Sequence, residues 1–457
     1  MKKKVLLLHC PGAKIYLHDL YCSYSTKANY YWSPSDLIIL SGVLRGHDLA
    51  VIDAIAERLT EEDCERRIAA FGPETIVFVT GTATLKSDFA FVQKIKKNRA
   101  VRLIASSAVF VFEINDFHKT YPFIDAFILD ITSPEIGDFI EGQDKEYRAL
   151  AYRKGDTFQV PLNRKSRGLI HFPTPRHELF KFRLNRSPLA KRVPFTVVIT
   201  SLGCPFRCKF CVSGSVDYQY RGVDEVLREL EDVRSLGIKE IMFNDSTFTV
   251  SRKRVIELCQ KMIDQDLDLT WICNAHVATI SEELIAAMRE AGCHTVMIGV
   301  ESGENAILER CAKKTTTDQI KKAFLLCKKH KVKTLAYFVI GLPGETRESV
   351  LATIHFAREL DPDYASFTVL TPDIGSELRR EAIAKGRLDE KALIFDSTAF
   401  PVFAAGDLSK EAIWRLRQRA VRDFYLRPTY LFKRLIGIRS FRDAALLLDQ
   451  ARSMFLK

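Results

Sequence analysis

The 457-residue chain has no run approaching the ~18 consecutive apolar residues that cross a bilayer, which excludes a membrane-spanning helix. The short apolar run Val5–Leu8 gives way at once to Pro11-Gly12, so it reads as a buried strand and not as a secretory signal. Eleven cysteines are too few and too scattered for a disulfide scaffold, and their odd number fits a reducing compartment. Low-complexity tracts and repeats of fixed period are lacking as well. Net charge is scarce over most of the chain despite the total of +11, because the stretch from Lys410 to Lys457 alone carries twelve Lys and Arg against four Asp and Glu. A balanced main body argues against a nucleic-acid groove, so no nucleic-acid partner is expected. The expected location is cytoplasmic, with peripheral membrane contact open through the basic tail.

What remains is an apolar chain, 47% hydrophobic, long enough for two cores. Residues 1–140 alternate β-rich runs (Val5–Leu8, Leu49–Ile52, Thr75–Val79, Val101–Ala105, Ala126–Leu129) with amphipathic stretches such as Thr60–Ala70 and Lys86–Lys97. That pattern predicts an α/β, doubly wound, Rossmann-like domain. Periodicity fails over residues 141–192, which are polar and carry Pro161, Pro173, Pro175 and Pro188; an extended linker is expected. Over residues 193–385 a second series follows, with strands expected at Phe195–Thr200, Glu240–Phe243, Leu269–Cys273, Thr295–Val300, Thr334–Ile340 and Ala365–Leu370. Six strand-helix repeats are short of a closed TIM barrel and predict a partial, open-sided one, with chemistry at the carboxyl ends of its strands. Residues 386–457 form a basic, amphipathic, helical tail in which Arg415, Arg417, Arg419, Arg422, Arg427, Lys433 and Arg434 alternate with Trp414, Phe424, Tyr425, Leu431, Phe432, Leu435 and Ile436.

The first strand of the second series runs into Cys204, Cys208 and Cys211, a C-x3-C-x2-C spacing. Three thiolates this close can hold three corners of a 4Fe-4S cubane and leave the fourth iron to a small molecule. A structural zinc site would use Cys208 and Cys211 but needs a second pair, and Cys259, Cys273, Cys293, Cys311 and Cys327 offer no such spacing. His171, His177, His276 and His294 read as structural.

With Phe210 just before the last cysteine, this cluster resembles the signature of the radical S-adenosylmethionine (SAM) superfamily. The resemblance implies cofactors, a 4Fe-4S cluster and SAM, and roles for later strand ends: Asn244-Asp245-Ser246 at the amino group of methionine, Glu301 and Ser302 at the ribose, and Gly341-Leu342 at adenine. It also implies a one-electron reductant such as flavodoxin or ferredoxin. A sheet domain followed by the linker and Thr200–Cys208 resembles the cobalamin-binding branch, which includes anaerobic magnesium-protoporphyrin cyclases, carbon methyltransferases and enzymes of lipid pathways. Ala105–Phe110 and Asp130–Glu135 depart from turns usual in that branch, and the Asp-x-His-x-x-Gly cobalt motif is absent. Thr80 and Thr82 are the residues expected to line a corrin pocket. The implied function is methyl transfer to an unactivated carbon of an apolar, small-molecule or lipid-like substrate. Ring formation, rearrangement or carbon-carbon coupling is the alternative, and a non-catalytic iron-sulfur or zinc interaction protein is the alternative of another class.

Overall fold

The computed structural model describes residues 2–436 apart from 27–29, 162–167, 394, 395, 397 and 405. Val5, Leu6, Leu7 and Leu8 are wholly enclosed, as a central parallel strand covered on both faces must be. Their strand, Lys4–His9, pairs in parallel with Asp48–Asp53 on one side and Thr75–Val79 on the other. Arg102–Ser106 and Ala126–Ile128 extend the sheet beyond Thr75–Val79. Helices Glu61–Phe71 and Leu85–Asn98 turn their apolar stripes onto the sheet through Cys64, Ile68, Phe89, Val92 and Ile95. The strand order is doubly wound, and it reverses beside Lys4–His9, the place where such sheets hold ligands.

Two features correct the expected linker. Leu150–Lys154 and Thr157–Gln159 turn at Gly155, in the left-handed region at φ 59°, and add two antiparallel strands to the sheet. Gly168–Ile170 joins a small second sheet with Gln219–Arg221 and Ser201–Leu202. His177 in this stretch is buried and its Nε2 contacts Glu229 at 2.8 Å, so the segment is pinned to the barrel.

The second series forms one six-stranded parallel sheet in chain order: Phe195–Val198, Glu240–Phe243, Thr270–Ala275, Cys293–Glu301, Lys333–Ile340 and Tyr364–Val369. Its first and last strands do not pair, which leaves the barrel open on one side. The helix Lys410–Tyr425 covers that side. Ser409 Oγ accepts the Ala412 N–H at 3.1 Å as its cap, and Ile413, Leu416, Ala420, Val421 and Phe424 pack into the barrel core. Pro428–Ile436 continues as a separate helix that leaves Leu431, Phe432 and Ile436 exposed. The expectation for the Leu435 side chain and for residues 437–457 lies outside the described residues.

A hairpin absent from the sequence expectation, Tyr16–Asp19 with Cys22–Ser25, stands between sheet and barrel. Its Ser23 Oγ accepts from the Ala83 N–H at 2.8 Å, its Tyr21 hydroxyl from the Gly203 N–H at 2.7 Å, and its Asp19 from Asn244 Nδ2 at 2.9 Å.

Candidate active site

The three clustered cysteines sit on a loop that only glycine can start and finish. Gly203 has φ 67°, and a Cβ there would stand 2.5 Å from the Asp217 carbonyl; a Cβ on Gly214 would meet the Phe206 carbonyl at 2.4 Å. The folded-back loop holds Cys208 buried and Cys204 and Cys211 half-buried. Cys204 Sγ lies 3.5 Å from Thr247 Oγ1. The Lys209 N–H donates to the Cys311 carbonyl at 3.1 Å, while its carbonyl accepts from the Leu378 N–H at 2.9 Å, which ties the loop to the far strand ends. Burial pushes the Cys208 thiol up to about 12, and Cys211 and Cys204 push the same way while Lys313 opposes them. Cys211 is raised by burial and by Cys204. Among the described residues no three His, Cys, Asp or Glu side chains converge as ligands of a single ion do. Three thiols on one folded-back loop, with Cys208 and Cys211 raised in part by their neighbours, suit a cationic cluster that would take them as thiolates.

The other expected residues divide into those that face the site and those spent on holding it. Asn244 donates to Asp19 Oδ1 and Ser35 Oγ, both at 2.9 Å. Asp245 is fully enclosed: its carboxylate accepts from the Thr200 N–H at 2.7 Å, the Thr200 hydroxyl at 2.5 Å and the Ser201 hydroxyl at 2.8 Å. It anchors the start of the cysteine loop. The Ser246 hydroxyl donates to Ser213 Oγ at 3.1 Å.

At the fourth strand end a bulge between Gly299 and Glu301 turns the Glu301 side chain inward, with its backbone at φ 66°. Glu301 Oε1 accepts from Lys313 Nζ at 2.8 Å in a buried pair. Gly299 makes room for that pair, since a Cβ would approach Glu301 Oε1 to 2.4 Å and Lys313 Nζ to 2.7 Å. Ser302 is enclosed, with its Oγ 3.1 Å from Thr353 Oγ1. At the fifth strand end Gly341 has φ 95°, and Glu345 Oε2 accepts the N–H groups of Gly341 at 2.6 Å and Leu342 at 3.0 Å. Burial raises Glu345 to about 7. Leu342 and Phe210 join one apolar cluster with Leu370 and Phe403, so these two residues brace the loops through packing.

In the sheet domain the Thr80 hydroxyl donates to Asp88 at 2.7 Å, whereas Thr82 Oγ1 meets Ser23 Oγ of the hairpin at 3.3 Å. Behind them runs a buried polar chain: Thr84 to His18 Nε2 at 2.9 Å, His18 Nδ1 to His9 Nε2 at 2.9 Å, and His9 Nδ1 to Asp53 at 3.1 Å. Burial and His9 hold His18 well below the usual imidazole range, hence neutral. His276 lies flat on Phe206 of the cysteine loop, 3.7 Å between ring centres.

Sequence reasoning missed Lys313, Glu345 and the hairpin residues Asp19 and Tyr21. Lys313-Lys314 looks like a solvated pair, and Glu345 follows a Gly-Leu-Pro-Gly that signals only a turn; a buried partner was not readable for either. The hairpin contains no glycine at its turn, which Leu20 makes at φ 41°.

A family model for the radical SAM superfamily matches residues 198–357. An uncharacterised methyltransferase of Pyrococcus horikoshii is 36% identical, across 89% of this chain and 91% of its own. The fold is shared with the solved radical SAM methyltransferase TsrM of Kitasatospora setae, with tryptophan and a SAM analogue bound (TM-score 0.67, 18% identity, covering 84% of this chain and 77% of that one). It is shared too with the cobalamin-dependent SAM radical enzyme OxsB, with aqua-cobalamin and SAM bound (TM-score 0.70, 16% identity, covering 100% and 72%). The close relative spans nearly the whole chain and the family match begins at the strand that leads into the cysteine loop; this chain belongs to the radical SAM superfamily.

Proposed function

We propose that this radical SAM enzyme is a cobalamin-dependent methyltransferase acting on an unactivated carbon of a small organic molecule. The observation that carries the reading is the opposition of two cofactor faces, the ligand-binding edge of the doubly wound sheet and the strand ends of the barrel, bridged by one hairpin that hydrogen-bonds to both. When bound, the cluster and SAM supply one-electron cleavage to a 5′-deoxyadenosyl radical, and cobalamin supplies a transferable methyl group.

In this reading Cys204, Cys208 and Cys211 hold the cluster. Asn244, its amide nitrogen spent on Asp19 and Ser35, offers Oδ1 to the amino group of methionine. Glu301 keeps Oε2 for a ribose hydroxyl while Lys313 fixes its other oxygen, and the Gly341-Leu342 turn, pinned by Glu345, receives adenine. Asp245, Ser302 and Phe210 position these loops without reaching the cofactor. Thr82 faces the corrin side and Thr80 shapes the loop through Asp88. A flavodoxin or ferredoxin supplies the electron. The exposed Leu431, Phe432 and Ile436, beside Lys433, support peripheral contact with an anionic membrane.

Anaerobic reconstitution with iron, sulfide and hydroxocobalamin tests the reading. The expected outcome is a broad iron-sulfur absorbance near ~400 nm that the triple Cys→Ala variant lacks, a bound-corrin spectrum, and 5′-deoxyadenosine when SAM and reductant are added. Zinc in place of iron, or protein that takes up no corrin, overturns it.

A further inference from the structure

Between the barrel, the hairpin and the Lys410–Tyr425 helix lies an open chamber of about 1180 Å³ that none of the cofactor roles above accounts for in full. It exceeds the ~300–1,000 Å³ of an ordinary small-ligand pocket. Its wall is rich in flat and polarisable side chains: Tyr337, Met297 and Met242 from the barrel strands, Tyr30 and Trp32 from the sheet domain, and Trp414 from the helix on the open side. Tyr30 and Trp32 already stack on each other at 5.5 Å, and the Tyr337 hydroxyl sits 3.4 Å from Met297 Sδ, which gives the chamber preformed aromatic faces.

One charged group in this wall is out of place. Arg417, on the helix Lys410–Tyr425, is half-buried, with Nε donating to the Phe367 carbonyl at 3.3 Å and the guanidinium lying 5.2 Å from the Trp414 ring centre. Among the described residues it has no carboxylate partner. Of the neighbouring tail cations, Arg427 is matched to Asp361 at 2.7 Å and Arg419 to Asp423 at 3.2 Å, while Arg415 and Arg422 are exposed. Its remaining donors are not sealed from water, and an anion entering the chamber can take them in a charge-assisted pair.

We infer that the chamber takes a substrate with a flat, conjugated body and one anionic group, a carboxylate or a phosphate, which Arg417 reads from the open side of the barrel. The body lies between the Tyr337 and Trp414 walls, and the end remote from the anion lies toward Asn244 and Ser246. The inference deepens the methyltransferase reading and rests on it for the direction of the reacting end. Arg417 is therefore a specificity residue, remote from the chemistry.

Fluorescence titration of the reconstituted, full-length protein with 1-pyrenebutyrate and with 1-pyrenebutanol tests the assignment. The acid should bind about ten-fold more tightly than the alcohol at low salt, the scale of one hydrogen-bonded charge pair. Arg417→Gln should erase that preference while leaving alcohol binding unchanged, and Arg417→Lys should keep part of it. Arg415→Gln, an exposed neighbour on the same helix, should change nothing. Displacement of pyrenebutyrate by 2-naphthoate or by 2-naphthyl phosphate shows which anion the site prefers. Equal binding of acid and alcohol to the wild type overturns the inference whether or not the variants fold, as does a preference that survives Arg417→Gln. Corrin binding and SAM cleavage are read on the same samples. Their loss with the acid preference intact removes the methyltransferase reading and leaves the anion site standing; the reverse pattern removes the anion site alone.

Discussion

Replacing Lys313 by methionine strands a carboxylate inside the barrel. The Lys313 Nζ to Glu301 Oε1 distance is 2.8 Å, and the two side chains are only 6% and 9% exposed. At an effective dielectric of about 20 the gross attraction at that distance is about 6 kcal/mol. Desolvating both ions offsets much of it, so the pair contributes little beyond what two apolar residues would. Removing one partner is another matter, because the other charge stays buried; such deletions cost about 3–5 kcal/mol. Methionine nearly matches the lysine stem in shape, which keeps any cavity contribution small. For a folding unit of the barrel's size each kcal/mol moves the melting midpoint by roughly 2–4 °C, so Lys313→Met should lower it by about 6–20 °C. The double variant Lys313→Met/Glu301→Gln should recover at least about half of that loss, because no unpaired charge remains. Anaerobic thermal melts of the four proteins, followed by far-ultraviolet circular dichroism, form the cycle. A Lys313→Met protein that melts with the wild type, or single effects that simply add, would refute the account of this pair.

Glu345 predicts a pH dependence. Burial raises it from 4.5 to about 7, so the folded state holds its proton more tightly than the unfolded one, and stability present below pH 4.5 is lost as pH rises through about 7. Glu345→Gln still accepts from Gly341 and Leu342 but cannot ionise, and should flatten that slope in melts taken across the range; an unchanged slope contradicts the assignment. Gly203→Ala forces a side chain into a left-handed backbone at about 1–2 kcal/mol and against the Asp217 carbonyl at 2.5 Å. Its reconstituted iron content should fall while circular dichroism stays native; full iron occupancy sinks the claim. Phe432→Glu should abolish flotation with anionic vesicles without shifting the melt, and equal flotation of both proteins removes the tail's membrane role.

Strands were legible where burial is two-sided. Glu240–Phe243 and Thr75–Val79 have the bounds that apolar periodicity predicts, since a parallel strand must be apolar throughout. The cysteine cluster was legible because three thiols within eight residues stand together whatever the fold around them. What stayed hidden depends on contacts remote in sequence. Leu150–Lys154 reads as polar linker, yet it completes the sheet by pairing with Ala126–Ile128. Asp245 and Ser302 stand at the expected strand ends, where their side chains meet Thr200, Ser201 and Thr353, and Phe210 packs half-buried beside Leu342; no motif encodes such partners. Arg417 looks like every other basic residue of the tail; what sets it apart is a half-buried place in the chamber wall with no carboxylate partner among the described residues.

The hairpin between sheet and barrel makes the two halves of the molecule thermodynamically answerable to each other. Ser23 serves the Thr82-Ala83 loop, Tyr21 serves the first residue of the cysteine loop, and only Cys22 separates them. Any ligand that draws the hairpin toward the sheet must loosen or tighten its grip on Gly203, and the free energy so exchanged is the same whichever site is filled first. Affinity for a ligand at one face is in that sense a property of the other.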